Sequence, residues 1–146
     1  MDQHHLFVNF AVSSAMLVLC VVIHGFGLFS LNKAMRSEAN EERMRRMTAL
    51  SFRGAVFTLF IVLSLFLLHG IEIWAYAVVY LIVGAAANLH DALFFSTISY
   101  STVGYNDHFI VERWRLLGAF ESILGMILIG WSTAFLFRML GRIDAH

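Results

Sequence analysis

The stretch Ser99-Tyr100-Ser101-Thr102-Val103-Gly104-Tyr105-Asn106-Asp107 decides the fold of this chain. It is a short polar segment with a glycine, and a long hydrophobic segment begins a few residues after it. At membrane depth, a non-helical loop of this kind is tolerated only where protein or a water-filled cavity surrounds it. The stretch therefore predicts a loop enclosed by protein, if the segments around it cross a membrane.

The composition predicts that they do. The chain has 146 residues, of which 60% are hydrophobic and 14% charged, and it contains no proline. A soluble domain of this size is much less apolar. We therefore expect an all-α integral membrane protein. No activated nucleophile, acid–base pair or cofactor motif is evident, so we expect no enzymatic activity, no cofactor and no nucleic-acid partner.

Charge and hydropathy divide the chain into three parts. Residues 1–31 predict an N-terminal transmembrane helix, residues 32–48 a charged cytoplasmic connector, and residues 49–146 a larger membrane domain. The cytoplasmic assignment follows from the excess of basic residues, which is typical of cytoplasmic loops. Six of the ten basic residues lie in or beside the connector, namely Lys33, Arg36, Arg43, Arg45, Arg46 and Arg53.

The first half of the larger domain allows two topologies. Residues 49–69 predict an outer helix, and Gly70 is a candidate helix stop or kink. Residues 71–87 are apolar with several aromatics, which suits a helix at the membrane interface as well as a short crossing. We favour the interfacial helix, because the connector and the basic C-terminal tail then lie on the same side of the membrane.

The second half predicts a re-entrant unit. Residues 88–100 indicate a short helix with Asn88 or Asp91 near its start, residues 101–107 the loop, and residues 114–140 a final spanning helix. Because the loop needs protein around it and one copy offers too little, this unit predicts an oligomer.

The loop resembles the selectivity filter of tetrameric potassium channels, whose usual wording is Thr-x-x-Thr-x-Gly-Tyr-Gly-Asp. Thr102-Val103-Gly104-Tyr105 match it outright, whereas Ser99 replaces the first Thr and Asn106 the second Gly. Other segments of the chain are similar in sequence to small bacterial proteins of the two-transmembrane ion-channel family. The similar segments are Glu72-Ile73-Trp74, Asp91-Ala92-Leu93, Trp114-Arg115-Leu116-Leu117-Gly118 and Gly130-Trp131-Ser132-Thr133-Ala134.

The resemblance implies a fold and an activity. It implies a potassium-channel-like pore domain over residues 49–146, with 88–100 as the pore helix, 101–107 as the filter and 114–140 as the inner helix. Three further copies of the chain would complete a homotetramer in a bacterial inner membrane, and K⁺ would pass through it passively. A weakly selective cation channel, suggested by Asn106, and a non-conducting regulatory subunit are the alternatives.

The resemblance also implies how the filter holds K⁺. Backbone carbonyls of Thr102, Val103, Gly104 and Tyr105, with the Thr102 hydroxyl, would replace the water around the ion. Such a loop alternates between ordinary and left-handed backbone, which is cheap at Gly104. Asn106 tolerates positive φ better than most residues.

Four more groups of residues are candidates for the pore. Asp107 would concentrate cations at the outer mouth, unless it is only a turn residue. Glu121 is a carboxylate inside a membrane span. Because burying such a group in the membrane is costly, we expect it to have a function. It either attracts cations as part of the pore or holds the pore helix as a neutral carboxyl. Gly125, like Gly130, serves either as a gating bend or for close packing. The aromatics Phe94, Phe95 and Tyr105 would form a cuff around the filter.

The seven histidines do not predict a metal site. Their spacing in sequence gives no cluster of ligands beyond His4-His5 near the N-terminus. Histidine titrates near neutral pH, so modulation by protons remains open, but no residue pattern favours it. Apart from the filter, we therefore expect no metal ligands.

Overall fold

The computed structural model describes residues 3–36, 51–104 and 110–144. Within these ranges the chain is helical and contains no strand. The helices are α1 (Gln3–Met35), α2 (Phe52–Ile82), α3 (Leu89–Tyr100) and α4 (Arg115–Asp144), and a short 3₁₀ helix, Glu112–Trp114, precedes α4. Most of the connector predicted at 32–48, and the filter positions Tyr105 to Asp107, lie outside the described residues.

Three of these helices have the length and composition of membrane spans. At 1.5 Å per residue, each extends about 45–50 Å, more than the roughly 30 Å hydrocarbon core of a bilayer. Their outer faces are apolar: Phe7, Phe26 and Phe66 are each more than 70% exposed. An isolated soluble protein rarely exposes such surfaces, whereas lipid solvates them. The chain is thus a multi-pass membrane protein.

α1 and α4 run parallel to each other. Near the start of both helices, the Asn9 Nδ2 donates to the Arg113 carbonyl at 2.6 Å. Further along, His24 Nε2 lies 3.2 Å from Ser132 Oγ. α1 turns a stripe at roughly helical spacing inward, composed of Asn9, Ser13, Met16, Cys20, His24, Leu28 and Met35. The N-terminal helix therefore packs along the whole inner part of the molecule.

α2 runs antiparallel to α4. Tyr80, near the end of α2, contacts Glu121 near the start of α4. Leu65, earlier in α2, clusters with Phe135 and Met139 near the end of α4. The start of α2 and the end of α4 are consequently at the same end of the bundle. The point where the connector joins α2 and the point where the C-terminal tail follows α4 therefore lie at the same end of the bundle, as the expected topology requires.

The predicted helix stop at Gly70 is wrong. α2 continues from Phe52 to Ile82, so the outer helix (49–69) and the interfacial helix (71–87) are one element. A glycine inside a helix costs only about 1 kcal/mol, and in a membrane every broken backbone hydrogen bond costs more. Tyr76 and Tyr80 are fully buried rather than at an interface. Burial of the second half of α2 against α3 and α4 keeps both halves in one continuous helix.

The stop lies instead at Gly84. Gly84 has a φ of +64° and follows the C-cap residue Val83. The Gly84 N–H donates to the Leu81 carbonyl at 3.1 Å, and the Ala85 N–H donates to the Tyr80 carbonyl at 2.8 Å. This pair of bonds is the Schellman motif, which favours glycine because the left-handed residue has no Cβ.

α3 enters the bundle and the chain returns to the same side. Asn88 begins the helix, with its side-chain oxygen accepting from the Asp91 N–H at 2.9 Å. Twelve residues extend about 18 Å, roughly half the hydrocarbon thickness. After the loop, the Val111 N–H donates to the Ala85 carbonyl at 2.9 Å, back beside the end of α2. The chain thus descends and returns, as the re-entrant prediction required.

Candidate functional site

Residues 102–104, the described part of the loop that follows α3, are exposed at the surface of the chain. Thr102, Val103 and Gly104 are exposed, and Val103 retains 80% of its accessible surface. The backbone N–H of Ser101, the C-cap of α3, donates to the Thr97 carbonyl at 3.1 Å, and the N–H of Thr102 donates to the Ser99 carbonyl at 3.0 Å. The segment with the filter-like sequence is therefore presented at the surface of one chain.

The left-handed conformation expected at Gly104 is found at another position. Thr102 has a φ of +57°, and Gly84 is the described glycine with positive φ. No atom lies within 4 Å of a Cβ built on Gly104. Because no packing within the chain acts on Gly104, its backbone angle is not set by contacts of the single chain.

The C-terminal end of α3 points its carbonyls toward this segment. Backbone dipoles sum along a helix and give its C-terminal end a partial negative charge. α3 contains no basic residue in its last turn to offset that charge. The electrostatic field at the start of the loop therefore favours a cation.

One face of α3 is held by a group of three residues that we call the Glu121 cluster: Glu121, Tyr80 and Ser96. The Tyr80 hydroxyl donates to Glu121 Oε2 and the Ser96 hydroxyl to Glu121 Oε1, both at 2.5 Å. Glu121 and Ser96 are fully buried. One carboxyl on α4 is thus hydrogen-bonded to both α2 and α3. Of the two roles expected for Glu121, this geometry supports the one that holds the short helix.

The end of α3 is held by a second group, the Glu72 cluster: Glu72, His24, His69 and Tyr100. The Tyr100 hydroxyl donates to Glu72 Oε2. Glu72 Oε1 lies 2.9 Å from His24 Nδ1, and His69 Nδ1 lies 2.8 Å from the Tyr100 hydroxyl oxygen. Glu72 and His24 are fully buried. The cluster connects α1 and α2 to the last residue of α3.

The prediction that no histidine cluster forms outside His4-His5 is wrong. His24, His69 and Glu72 place one ligand atom each within 4.8 Å of one another. The two histidines are far apart in sequence and come together because α1 packs against α2. Glu72, like Glu121, is an acidic residue in an apolar run, and such a residue predicts a buried partner. The expectation of an interfacial helix at 71–87 places Glu72 in water instead, so it predicts no partner for its carboxylate.

Gly125 allows α4 to approach the end of α3. A Cβ built there would lie 2.8 Å from the Tyr100 carbonyl carbon and closer still to its oxygen. Such distances do not occur for real side chains. α4 is continuous through Gly125 and Gly130, and Gly130 has no neighbour within 4 Å of a built Cβ. The structure therefore gives Gly125 a packing role, as the alternative to a bend.

The two phenylalanines of α3 differ in their surroundings. Phe95 is fully buried and meets Tyr80 edge to face, with ring centroids 5.3 Å apart. Phe94 is 44% exposed on the outer side of the chain. Within one chain, Phe95 is a core residue and Phe94 is the residue available to a neighbouring surface. Tyr105, the third aromatic expected in a cuff, lies outside the described residues.

Comparison with protein families gives one match. Residues 66–142 match a family model described as "Ion channel". The matched region is just over half of the chain and contains the C-terminal part of α2, all of α3, the exposed segment 101–104 and nearly all of α4. α1 and the first part of α2 lie outside it. Neither a curated protein nor a solved structure matches the chain.

Proposed function

The chain belongs to the ion channel family, and from that premise we propose that four copies form a passive, potassium-selective channel in a bacterial inner membrane. The carbonyls of Thr102 to Tyr105 and the Thr102 hydroxyl coordinate K⁺ on the four-fold axis. Asn106 and Asp107 form the outer mouth. No cofactor takes part, and lipid and three further copies are the partners.

One observation carries this proposal. The segment with the filter-like sequence follows a half-length helix that enters and returns on one side, and its residues face out of the chain. An exposed, non-helical backbone at membrane depth leaves carbonyls without partners, which lipid cannot satisfy. Other copies of the same segment, arranged around water and cations, satisfy them.

The helix dipole adds to this argument. In a tetramer, four copies of α3 direct their C-terminal ends at the centre, where their partial negative charges favour a cation. The Glu72 and Glu121 clusters hold α3 from two sides, so this direction is fixed by the single chain.

Potassium and sodium flux into liposomes containing the purified protein tests the proposal. We expect potassium flux that Gly104→Ala abolishes. The single chain accommodates a Cβ at Gly104, because nothing lies within 4 Å of it. Lost flux would therefore report on the assembled filter and not on misfolding of the chain.

Gly130→Ala is the matched control, since its built Cβ is equally open in α4. It should conduct like the unmodified protein. Equal flux from Gly104→Ala and Gly130→Ala, or no flux above that of empty liposomes, contradicts the proposal and favours a regulatory subunit.

The strength of selectivity depends on Asn106. We expect Asn106→Gly, which restores the usual second glycine, to increase the preference for potassium over sodium. Reversal potentials in mixed salts measure this. A preference that is weak in the unmodified protein and strong in Asn106→Gly would identify a weakly selective cation channel.

A further inference from the structure

We propose that His24, His69 and Glu72 form a buried site for one divalent transition-metal ion of the zinc class. The site joins α1 to α2 beside the end of α3. His24 Nδ1 lies 2.9 Å from Glu72 Oε1, and His69 Nδ1 lies 3.4 Å from Glu72 Oε2. This site is separate from the exposed filter segment, and it uses a helix, α1, outside the matched channel region.

The donor set is one that zinc prefers. Two imidazole nitrogens and one carboxylate are the protein ligands of many zinc sites, with bonds of about 2.0–2.2 Å. Two donors of one tetrahedral ion are then roughly 3.3–3.5 Å apart. The two histidine nitrogens lie 2.9 and 3.4 Å from different oxygens of Glu72, so each carboxylate oxygen faces one of them. One donor atom from each of the three residues lies within 4.8 Å of the other two, and a bound ion would draw them closer together.

The helices orient these donors before any ion arrives. His69 and Glu72 are three residues apart on α2, and residues at this spacing share a face of a helix. Helical bundles build metal sites from such pairs together with a ligand from a facing helix, which here is His24 on α1. The rings of His24 and His69 lie 5.2 Å apart between centroids.

His24 also has the outer partner that metal ligands usually have. Its second nitrogen, Nε2, lies 3.2 Å from the Ser132 hydroxyl on α4. When Nε2–H donates to Ser132, Nδ1 presents its lone pair toward Glu72 and the ion. Such a contact fixes both the tautomer and the ring orientation of a ligating histidine.

Charge and access agree with an ion at this place. Glu72 is a buried carboxylate in a membrane span, where an uncompensated negative charge is costly, and a divalent cation offsets it. The Tyr100 hydroxyl, 2.8 Å from His69 Nδ1, is a candidate fourth oxygen donor. The His69 side chain is 17% exposed and gives the ion a route to the two buried ligands.

Cobalt(II) titration of the purified protein in detergent tests the site, because tetrahedral Co²⁺ absorbs visible light and Zn²⁺ displaces it. The parent for all variants is the full chain with His4→Gln and His5→Gln, which removes the exposed histidine pair near the N-terminus. We expect one Co²⁺ per chain. His24→Gln and His69→Gln should each weaken binding by roughly tenfold or more.

His90→Gln is the matched control, since His90 lies beside Asp91 but is 90% exposed. It should bind Co²⁺ as the parent does. His69→Gln changes the least buried ligand, and circular dichroism with size-exclusion chromatography shows whether it is folded. A parent that binds no Co²⁺, or a folded His69→Gln variant that binds as tightly as the parent, overturns the proposal. The assay needs no flux, so it is independent of the proposed channel function.

Discussion

The short helix α3 and the loop after it differ in how many contacts they make with the rest of the chain. The body and end of α3 are held by the Glu121 cluster, the Glu72 cluster and the close approach of Gly125. Val103, three residues beyond Tyr100, lies outside these contacts and is 80% exposed. α3 is therefore positioned by contacts within one chain, whereas the loop after it is not.

This difference separates two kinds of residue. Substitutions behind α3 should alter the stability of the single chain and, through α3, the position of the loop. Substitutions in the loop should alter ion passage and leave the single chain as stable as before. The four variants below test this separation, in order of decreasing effect on stability.

Gly125→Ala should have the largest effect. The added Cβ would collide with the Tyr100 backbone, and backbone cannot yield unless α3 moves. Overpacking typically costs about 1–3 kcal/mol and occasionally more. Because the clash here is with backbone, we expect a cost of about 4 kcal/mol or more, together with loss of flux. Thermal unfolding and liposome flux measure the two effects. Gly130→Ala, in open space on the same helix, should be neutral, so equal behaviour of both variants would contradict the packing role of Gly125.

Glu121→Ala should lower the free energy of unfolding by about 2–4 kcal/mol. It removes the Glu121 acceptor of the buried Tyr80 hydroxyl, leaves the Ser96 hydroxyl to the Ile73 carbonyl 3.0 Å away, and opens a cavity. Ser122→Ala is the control, because the Ser122 hydroxyl donates to the Gly118 carbonyl within its own helix, at 3.1 Å. Unfolding in mixed micelles with increasing dodecyl sulfate compares the two. A loss no greater than that of Ser122→Ala would remove the Glu121 cluster as a support.

Tyr80→Phe should cost about 1 kcal/mol, through the hydrogen bond to Glu121. Tyr76→Phe is its counterpart one turn earlier. Both tyrosines are fully buried, but the Tyr76 hydroxyl has no hydrogen-bond partner in the described part of the chain. Removing an unpaired buried hydroxyl should leave stability unchanged or raise it. The same unfolding titration decides, and the reverse order of the two variants would refute this assignment of contacts.

Val103→Ala should have the smallest effect on the single chain, within about 0.5 kcal/mol, because its side chain is exposed. Stability is measured at a detergent ratio at which crosslinking shows single chains. The same variant in liposomes should alter the ratio of potassium to sodium flux. A clear loss of single-chain stability would show that the loop, too, is positioned within one chain.

Much of the scaffold follows from the sequence. Apolar composition predicts the membrane class, and three helices of spanning length are present. Asn88 was a candidate start of the short helix, and it does cap α3. Glu121 attracted notice because a carboxylate in an apolar run needs a partner. Each of these signals lies within a few residues of the feature that it predicts.

The incorrect predictions concern features that depend on contacts between residues far apart in sequence. Local propensity predicts a helix stop at Gly70, but contacts across the bundle keep α2 continuous and the Schellman motif at Gly84 ends it. The Glu72 cluster was missed because His24 and Glu72 are 48 residues apart and meet only when α1 packs against α2. Among the described residues of the single chain, positive φ occurs at Thr102 and Gly84 and not at Gly104, and the left-handed angle at Gly104 in an assembled filter stays a prediction.

Residue order is enough to predict the membrane class, the three apolar spans, the short helix at residues 88–100 and the filter-like sequence beside it. Hydropathy, capping and motif chemistry are local properties, so they can be read from neighbouring residues. Which polar side chains meet in the apolar interior depends on how the helices pack. Glu72 and Glu121 each need partners on other helices, and helix packing alone chooses those partners.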